Sequence, residues 1–141
     1  MDDLFTNDGS GGGAADLSEE TMRQQLGPAA WKFFRRLTER WQIPPEDARQ
    51  LVALGPGTDL DRVNPEQLDE EQLQRIGILI GIYKALRTLL NSPLADQWVT
   101  RPNGNALFGD QTPVAYMIES GIPALRNVRK LLNARCAGNA G

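Results

Sequence analysis

The chain has 141 residues, 40% of them apolar, and a formal net charge of -3. This length suits one compact domain, and the slight negative charge argues against a general binder of polyanions. The absence of histidine removes the commonest metal ligand and the usual general base. The single Cys136 excludes an internal disulfide and a multi-cysteine metal site, and no signal-peptide pattern opens the sequence. We therefore expect a cytoplasmic protein without enzymatic activity, cofactor, metal or membrane segment.

The first part of the chain combines a polar tail with short helical segments. Residues 1–15 are rich in glycine and predict a disordered tail. Asp16 resembles a helix start, and the pair Gly27–Pro28 should end that short helix. A second helix is predicted from Pro28 to about Trp41. A third follows Pro44–Pro45 and should stop before residues 55–57, Gly-Pro-Gly.

Two short helices joined by a tight turn are typical of the start of a helix-turn-helix unit. A recognition helix should follow, but residues 58–65 form an acidic connection that ends in proline. The DNA-reading element is therefore predicted to be absent or degraded. Four cations in the second helix could still contact phosphates, although the acidic flanks favour an ordinary solvated face. They are Lys32, Arg35, Arg36 and Arg40.

The most apolar stretch of the chain lies between Arg75 and Lys84, where Tyr83 contributes the only polar side-chain group. Apolar residues recur there at spacings of three and four, which predicts a helix that is covered by protein on nearly all sides. Asp69 and Gln72 have the spacing of a capping box, and the helix should run to about Leu90. Gly77 and Gly81 share one face, where another backbone could approach closely.

Beyond the central helix, the sequence predicts shorter elements and a basic last helix. A short helix should begin at Pro93, and the Asn103–Gly104 pair predicts a turn whose flanks, 98–100 and 106–108, could form a very small hairpin. Thr112–Pro113 predicts a helix start, and that helix should stop at Gly121. The last helix should open at Pro123 with its apolar side inward. Its other side carries Arg126, Arg129, Lys130 and Arg135.

These basic residues suggest a surface for an acidic partner. Residues 76–141 contain seven basic and three acidic side chains, so the C-terminal part could contact an acidic protein surface. An ordinary solvated helix face explains the same pattern equally well. Trp98 and Phe108, which flank the turn, could likewise be simple anchors to the core.

Together these patterns predict an all-α, compact multi-helix domain around a central buried helix, with at most one very short β-hairpin. We divide the chain into a disordered tail (1–15), an N-terminal helical region that resembles a degenerate helix-turn-helix (16–64), and a C-terminal domain (65–141). The small residues after Cys136 should form a flexible C-terminal tail of that domain.

Residues 69–138 resemble the toxin-binding domain of the Xre/MbcA/ParS-type antitoxins. The similarity lies in the helix from Arg75 to Leu90, which contains residues 82–86 (Ile-Tyr-Lys-Ala-Leu), and in Trp98 and residues 101–103. It includes residues 107–109 (Leu-Phe-Gly) and Thr112–Pro113 with Met117. It continues through Gly121, Val128, residues 131–132, Arg135 and Gly138. The sequence departs from family members that carry a complete helix-turn-helix.

The resemblance implies an antitoxin of a type II toxin–antitoxin system that binds and neutralises a RES-type, NAD-degrading toxin by blocking its active-site pocket with the C-terminal end. The antitoxin could form a homodimer within a larger complex with the toxin. A DNA-binding autoregulator of its own operon is the alternative. Toxin contacts are predicted at Trp98, Arg101, Asn103, Phe108, Arg126, Arg129, Lys130, Arg135, Asn139, Ala140 and Gly141.

Overall fold

The computed structural model describes residues 19–140. Their regular secondary structure is entirely helical, and these residues contain no β-strand. Six α-helices follow one another along these residues. Their bounds are α1 Glu19–Arg40, α2 Pro45–Leu51, α3 Glu70–Leu89, α4 Ser92–Gln97, α5 Pro113–Ser120 and α6 Ile122–Ala140. Short 3-10 helices lie at Leu60–Arg62, Pro65–Gln67 and Trp98–Thr100. The predictions for residues 1–15, for the helix start at Asp16 and for Gly141 fall outside the described residues. Within them, no helix is long and apolar enough to cross a bilayer.

Helix α3 is the centre of the fold, as the sequence predicts. It packs against α1, α4 and α6. The capping box is present, because the Asp69 carboxylate accepts a hydrogen bond from the backbone N–H of Gln72 while the Gln72 side chain accepts one from that of Asp69. Its buried residues span most of the circumference, and they are Ile76, Ile78, Leu79, Ile80, Ile82, Ala85 and Leu86.

One stripe along α3 contains its two glycines, and no backbone atom of the described residues contacts it there, so the predicted close backbone approach at Gly77 and Gly81 is wrong. A Cβ built on Gly77 would meet no atom within 4 Å, so open space adjoins that residue. A Cβ on Gly81 would lie 2.9 Å from Cδ of Arg129. What approaches α3 here is therefore a long side chain from α6 and not another backbone. The exposed Gln74, Lys84 and Thr88 continue the same stripe.

Helix α1 is continuous, so the predicted break at Gly27–Pro28 is wrong. Pro28 lies inside the helix, although it cannot donate the hydrogen bond that this position normally provides. Gly27 is buried, and a Cβ there would lie 2.0 Å from the carbonyl oxygen of Pro65. The glycine thus serves a close approach between α1 and the 3-10 helix at 65–67. Sequence alone could not distinguish this role from that of a helix stop.

The region after α2 contains no recognition helix. Between residues 52 and 69, all of which the structure describes, the only helical elements are the 3-10 helices at Leu60–Arg62 and Pro65–Gln67. The side chains of Asp59 and Asn64 cap them by accepting hydrogen bonds from backbone N–H groups two residues ahead. This agrees with the predicted loss of a DNA-reading helix.

The predicted hairpin around residue 103 does not form. Residues 98–100 are a 3-10 helix, and turns follow at 105–110. The side chain of Asn103 accepts a hydrogen bond from the N–H of Asn105, and that of Asn105 accepts one from Leu107. These local bonds engage N–H groups that a hairpin ladder would need, and Pro102 has no N–H to contribute.

Helices α5 and α6 form where the sequence predicts them. Thr112 caps α5 by accepting a hydrogen bond from the N–H of Ala115. Gly121 ends α5 with φ of 71°, a conformation that favours glycine. Leu125, Val128 and Leu132 of α6 are buried. The helix continues through Ala140, so the residues after Cys136 that we expected to form a free tail are helical up to that point.

Candidate functional site

The outward face of α6 carries an unpaired basic surface. Arg126, Arg129 and Lys130, with Asn133 and Ala134, line one shallow depression. Arg126 and Lys130 are exposed, whereas Arg129 is half-buried because it lies across Gly81. Within residues 19–140, none of these three cations has a carboxylate within ion-pair distance. We call this set of five residues the basic face.

A second feature of α6 lies toward α3 and α4. An apolar groove of about 400 Å³ opens between the ends of these helices. Its lining residues are Leu86, Leu89, Leu90, Trp98, Leu132, Arg135 and Gly138. Only Arg135 among them is charged, and it has no ion-pair partner in the described residues. We call this surface the leucine groove.

An aromatic stack supports one wall of the leucine groove. Trp98 meets Phe108 edge to face with ring centroids 5.7 Å apart, and Phe108 meets Tyr116 in the same way at 5.4 Å. Phe108 is 1% exposed. It therefore supports Trp98 from the core and cannot itself contact a partner in this conformation. The half-buried Trp98 both anchors the turn and lines the groove. The two interpretations of Trp98 are therefore compatible.

The remaining predicted toxin contacts are dispersed. Arg101 is exposed at the end of the 3-10 helix at 98–100. Asn103 is half-buried, and its amide oxygen is engaged with the backbone of Asn105. Asn139 and Ala140 belong to the last turn of α6. The structure thus brings Trp98 and Arg135 together in one place and Arg126, Arg129 and Lys130 in another.

The cations of α1 have a different environment. Arg35 pairs with Asp61 at 3.0 Å, and Arg40 pairs with Asp96 at 3.4 Å. Lys32, Arg36 and Arg40 border a cavity of about 510 Å³ whose other lining residues are Ala29, Phe33, Leu37 and Tyr83. Two of the four residues proposed to contact DNA are thus already neutralised by carboxylates.

The leucine groove was missed by the sequence analysis, which assigned its leucines to the core. One signal was available. Leu86, Leu89 and Leu90 crowd the end of α3 just before the break at Asn91, and Leu94 follows. A single helix face cannot bury all of these at once.

The described residues contain no group of three or more metal-ligating side chains. The fold is all-α, and its described residues carry two candidate binding surfaces on α6, the basic face and the leucine groove.

Residues 85–138 match the family model of the antitoxin Xre/MbcA/ParS C-terminal toxin-binding domain. No curated protein and no solved structure gives a significant match. The resemblance to this domain is thereby confirmed over residues 85–138. Such a domain indicates a toxin-binding antitoxin of a toxin–antitoxin system.

Proposed function

We propose that this chain is the antitoxin of a type II system and neutralises a RES-type toxin, an NAD-degrading enzyme, by blocking its active-site pocket. The observation that carries the proposal is the basic face of α6, which lies within the segment that matches the toxin-binding domain. Within residues 19–140 its cations have no carboxylate within ion-pair distance, so they are available to pair with carboxylates on a second protein.

The geometry of α6 supports a blocking role for its C-terminal end. Its first three turns are held on the core by Leu125, Val128 and Leu132, all 1% exposed or less. Ala137 and Gly138, in contrast, are exposed and carry small side chains. A narrow helix end on a fixed support can enter a confined pocket with little loss of conformational entropy on binding. Steric exclusion of NAD then suffices, and no chemistry is required of the antitoxin.

Two truncations test this proposal. The wild-type chain is co-expressed with the toxin encoded in the neighbouring reading frame, and complex formation and cellular NAD are measured. Removal of residues 137–141 takes away no buried side chain of the described residues. That variant should therefore fold and still bind, yet leave NAD depleted. Removal of residues 1–15 is the control and should preserve both binding and protection. Full protection by the C-terminal truncation, with loss of protection by the N-terminal one, contradicts the proposal.

Charge reversals distinguish the proposed toxin binding from the DNA-binding alternative. Arg126→Glu with Lys130→Glu should weaken toxin binding, more strongly at low salt because exposed charges act over about 10 Å at 0.1 M salt. Lys32→Glu with Arg36→Glu is the matched pair on α1 and should leave toxin binding unchanged. Loss of operator binding in the α1 pair, measured by gel shift, would support the autoregulator instead.

A further inference from the structure

The leucine groove has a buried floor and a half-buried apolar wall. Leu86 and Leu132 form its floor and are each 1% exposed, whereas Leu89, Leu90 and Trp98 are only half-buried around it. The groove is concave and apolar with one cation in its lining, and partners place buried anchor side chains in sites of this form.

Leu94 lies between two lining residues of the groove along the chain but is not itself one of them. It belongs to α4, one helical turn before Trp98 and therefore on the same side of the helix, and it is 47% exposed. Among the described residues only Met22, at 39%, is another large hydrophobic side chain with comparable exposure. Met22 lies near the start of α1, so it provides a matched comparison outside the groove.

The groove has a rigid construction. The Asn91 side chain accepts a hydrogen bond from the N–H of Leu94 and so fixes the corner between α3 and α4. The stack of Trp98, Phe108 and Tyr116 fixes the opposite wall. A preformed groove loses little entropy when it is filled, so a partner gains most of the free energy of burying its apolar side chains there.

All seven residues that line the groove fall within residues 85–138, the segment that matches the toxin-binding domain. We propose that the leucine groove anchors the toxin, and that its occupant is a short amphipathic segment of the toxin. This segment presents apolar side chains at helical spacing and one carboxylate that pairs with Arg135. The inference rests on the proposed function and adds to it a second contact surface with different chemistry.

The two surfaces should contribute to binding in different ways. The basic face consists of solvent-exposed charge, which mainly raises the association rate and loses its effect as salt increases. The groove buries apolar area, and anchors of this type dominate the dissociation rate and persist at high salt. The salt dependence of a variant therefore reports which surface has been changed.

The experiment measures binding of the purified toxin to purified full-length chains by surface plasmon resonance, at about 0.05 M and 0.5 M salt. Leu94→Asp should raise Kd at least about thirtyfold at both salt concentrations, mainly through faster dissociation. Met22→Asp is the control and should leave Kd unchanged. Arg135→Glu, a second groove variant, should also raise Kd. Leu94 and Arg135 are both exposed, so the two groove variants should keep the wild-type melting temperature.

The outcomes separate the two proposals. If the wild-type chain does not bind the toxin, the proposed function fails and the groove inference with it. If the wild-type chain binds and Leu94→Asp binds equally well, the groove inference alone is overturned. Light scattering on the chain without toxin measures whether the chain forms a dimer through the groove. A dimer that Leu94→Asp dissociates would show that a second copy of this chain fills the groove, which also overturns the inference.

Discussion

Helices α1 and α6 both carry basic residues at spacings of three and four along a solvent-facing side, yet their charges are differently engaged. On α1, Arg35 and Arg40 are paired with carboxylates contributed by residues 26 and 56 positions away. On α6, the basic face has no such partner in the described part of the chain. Within the described residues, the same sequence pattern is paired internally in α1 and has no carboxylate partner in α6.

The difference arises from the elements beside each helix. Helix α1 lies near the 3-10 helix at Leu60–Arg62, which contributes Asp61, and near α4, which contributes Asp96. Helix α6 packs against α3 and α5, and residues 121–141 contain no acidic side chain. A basic helix therefore becomes a candidate binding surface only after the surrounding fold has been shown to leave it unpaired.

The largest expected effect comes from breaking the helix on which α1 and α6 both pack. Ile80 of α3 is 5% exposed, and Ile80→Asp would place an unpaired carboxylate in the core. Such a change costs several kcal/mol, comparable with the whole stability of a domain. We expect loss of the cooperative melting transition and of soluble protein. Gln74→Asp, an exposed position on the same helix, is the control and should melt normally. A soluble Ile80→Asp variant with the wild-type melting temperature would show that α3 is not central.

An intermediate effect is expected where α1 meets the 3-10 helix at 65–67. Gly27→Ala would force a methyl group against the Pro65 carbonyl, so it should destabilise by about 1–3 kcal/mol. Gly77→Ala meets open space inside a helix and should stabilise by up to about 1 kcal/mol. Urea unfolding of both variants measures the contrast. Equal effects in the two variants would mean that the close approach at Gly27 does not persist in solution.

The smallest effect tests the contrast between the two basic helices directly. Arg40→Ala leaves the 23% exposed side chain of Asp96 without its cation, and one oxygen of that carboxylate is buried without a hydrogen-bond partner. We expect a loss of up to about 1 kcal/mol, and a smaller loss for Arg35→Ala because the side chain of Asp61 is 81% exposed. Lys130→Ala on α6 should not change stability. A destabilising Lys130→Ala, measured in the same urea titration, would reveal an internal role for the basic face.

Features that depend on neighbouring residues were predictable from the sequence. Each of these features depends on a few consecutive residues. They are the capping box of Asp69 and Gln72, the start of α5 at Thr112–Pro113 and its end at Gly121. The central position of α3 also followed from its sequence, because a helix that is apolar around most of its circumference must be covered. The family resemblance over residues 85–138 similarly follows from motifs in linear order.

The tertiary structure alone decided how distant residues meet. It joined the helix across Gly27–Pro28 through a contact with Pro65, and it placed Arg129 over Gly81 where a backbone was expected. It also formed the leucine groove from the ends of α3, α4 and α6. Local sequence determines the conformations and the polarity that each segment prefers, whereas packing between remote segments determines which side chains are paired, covered or left open to a partner.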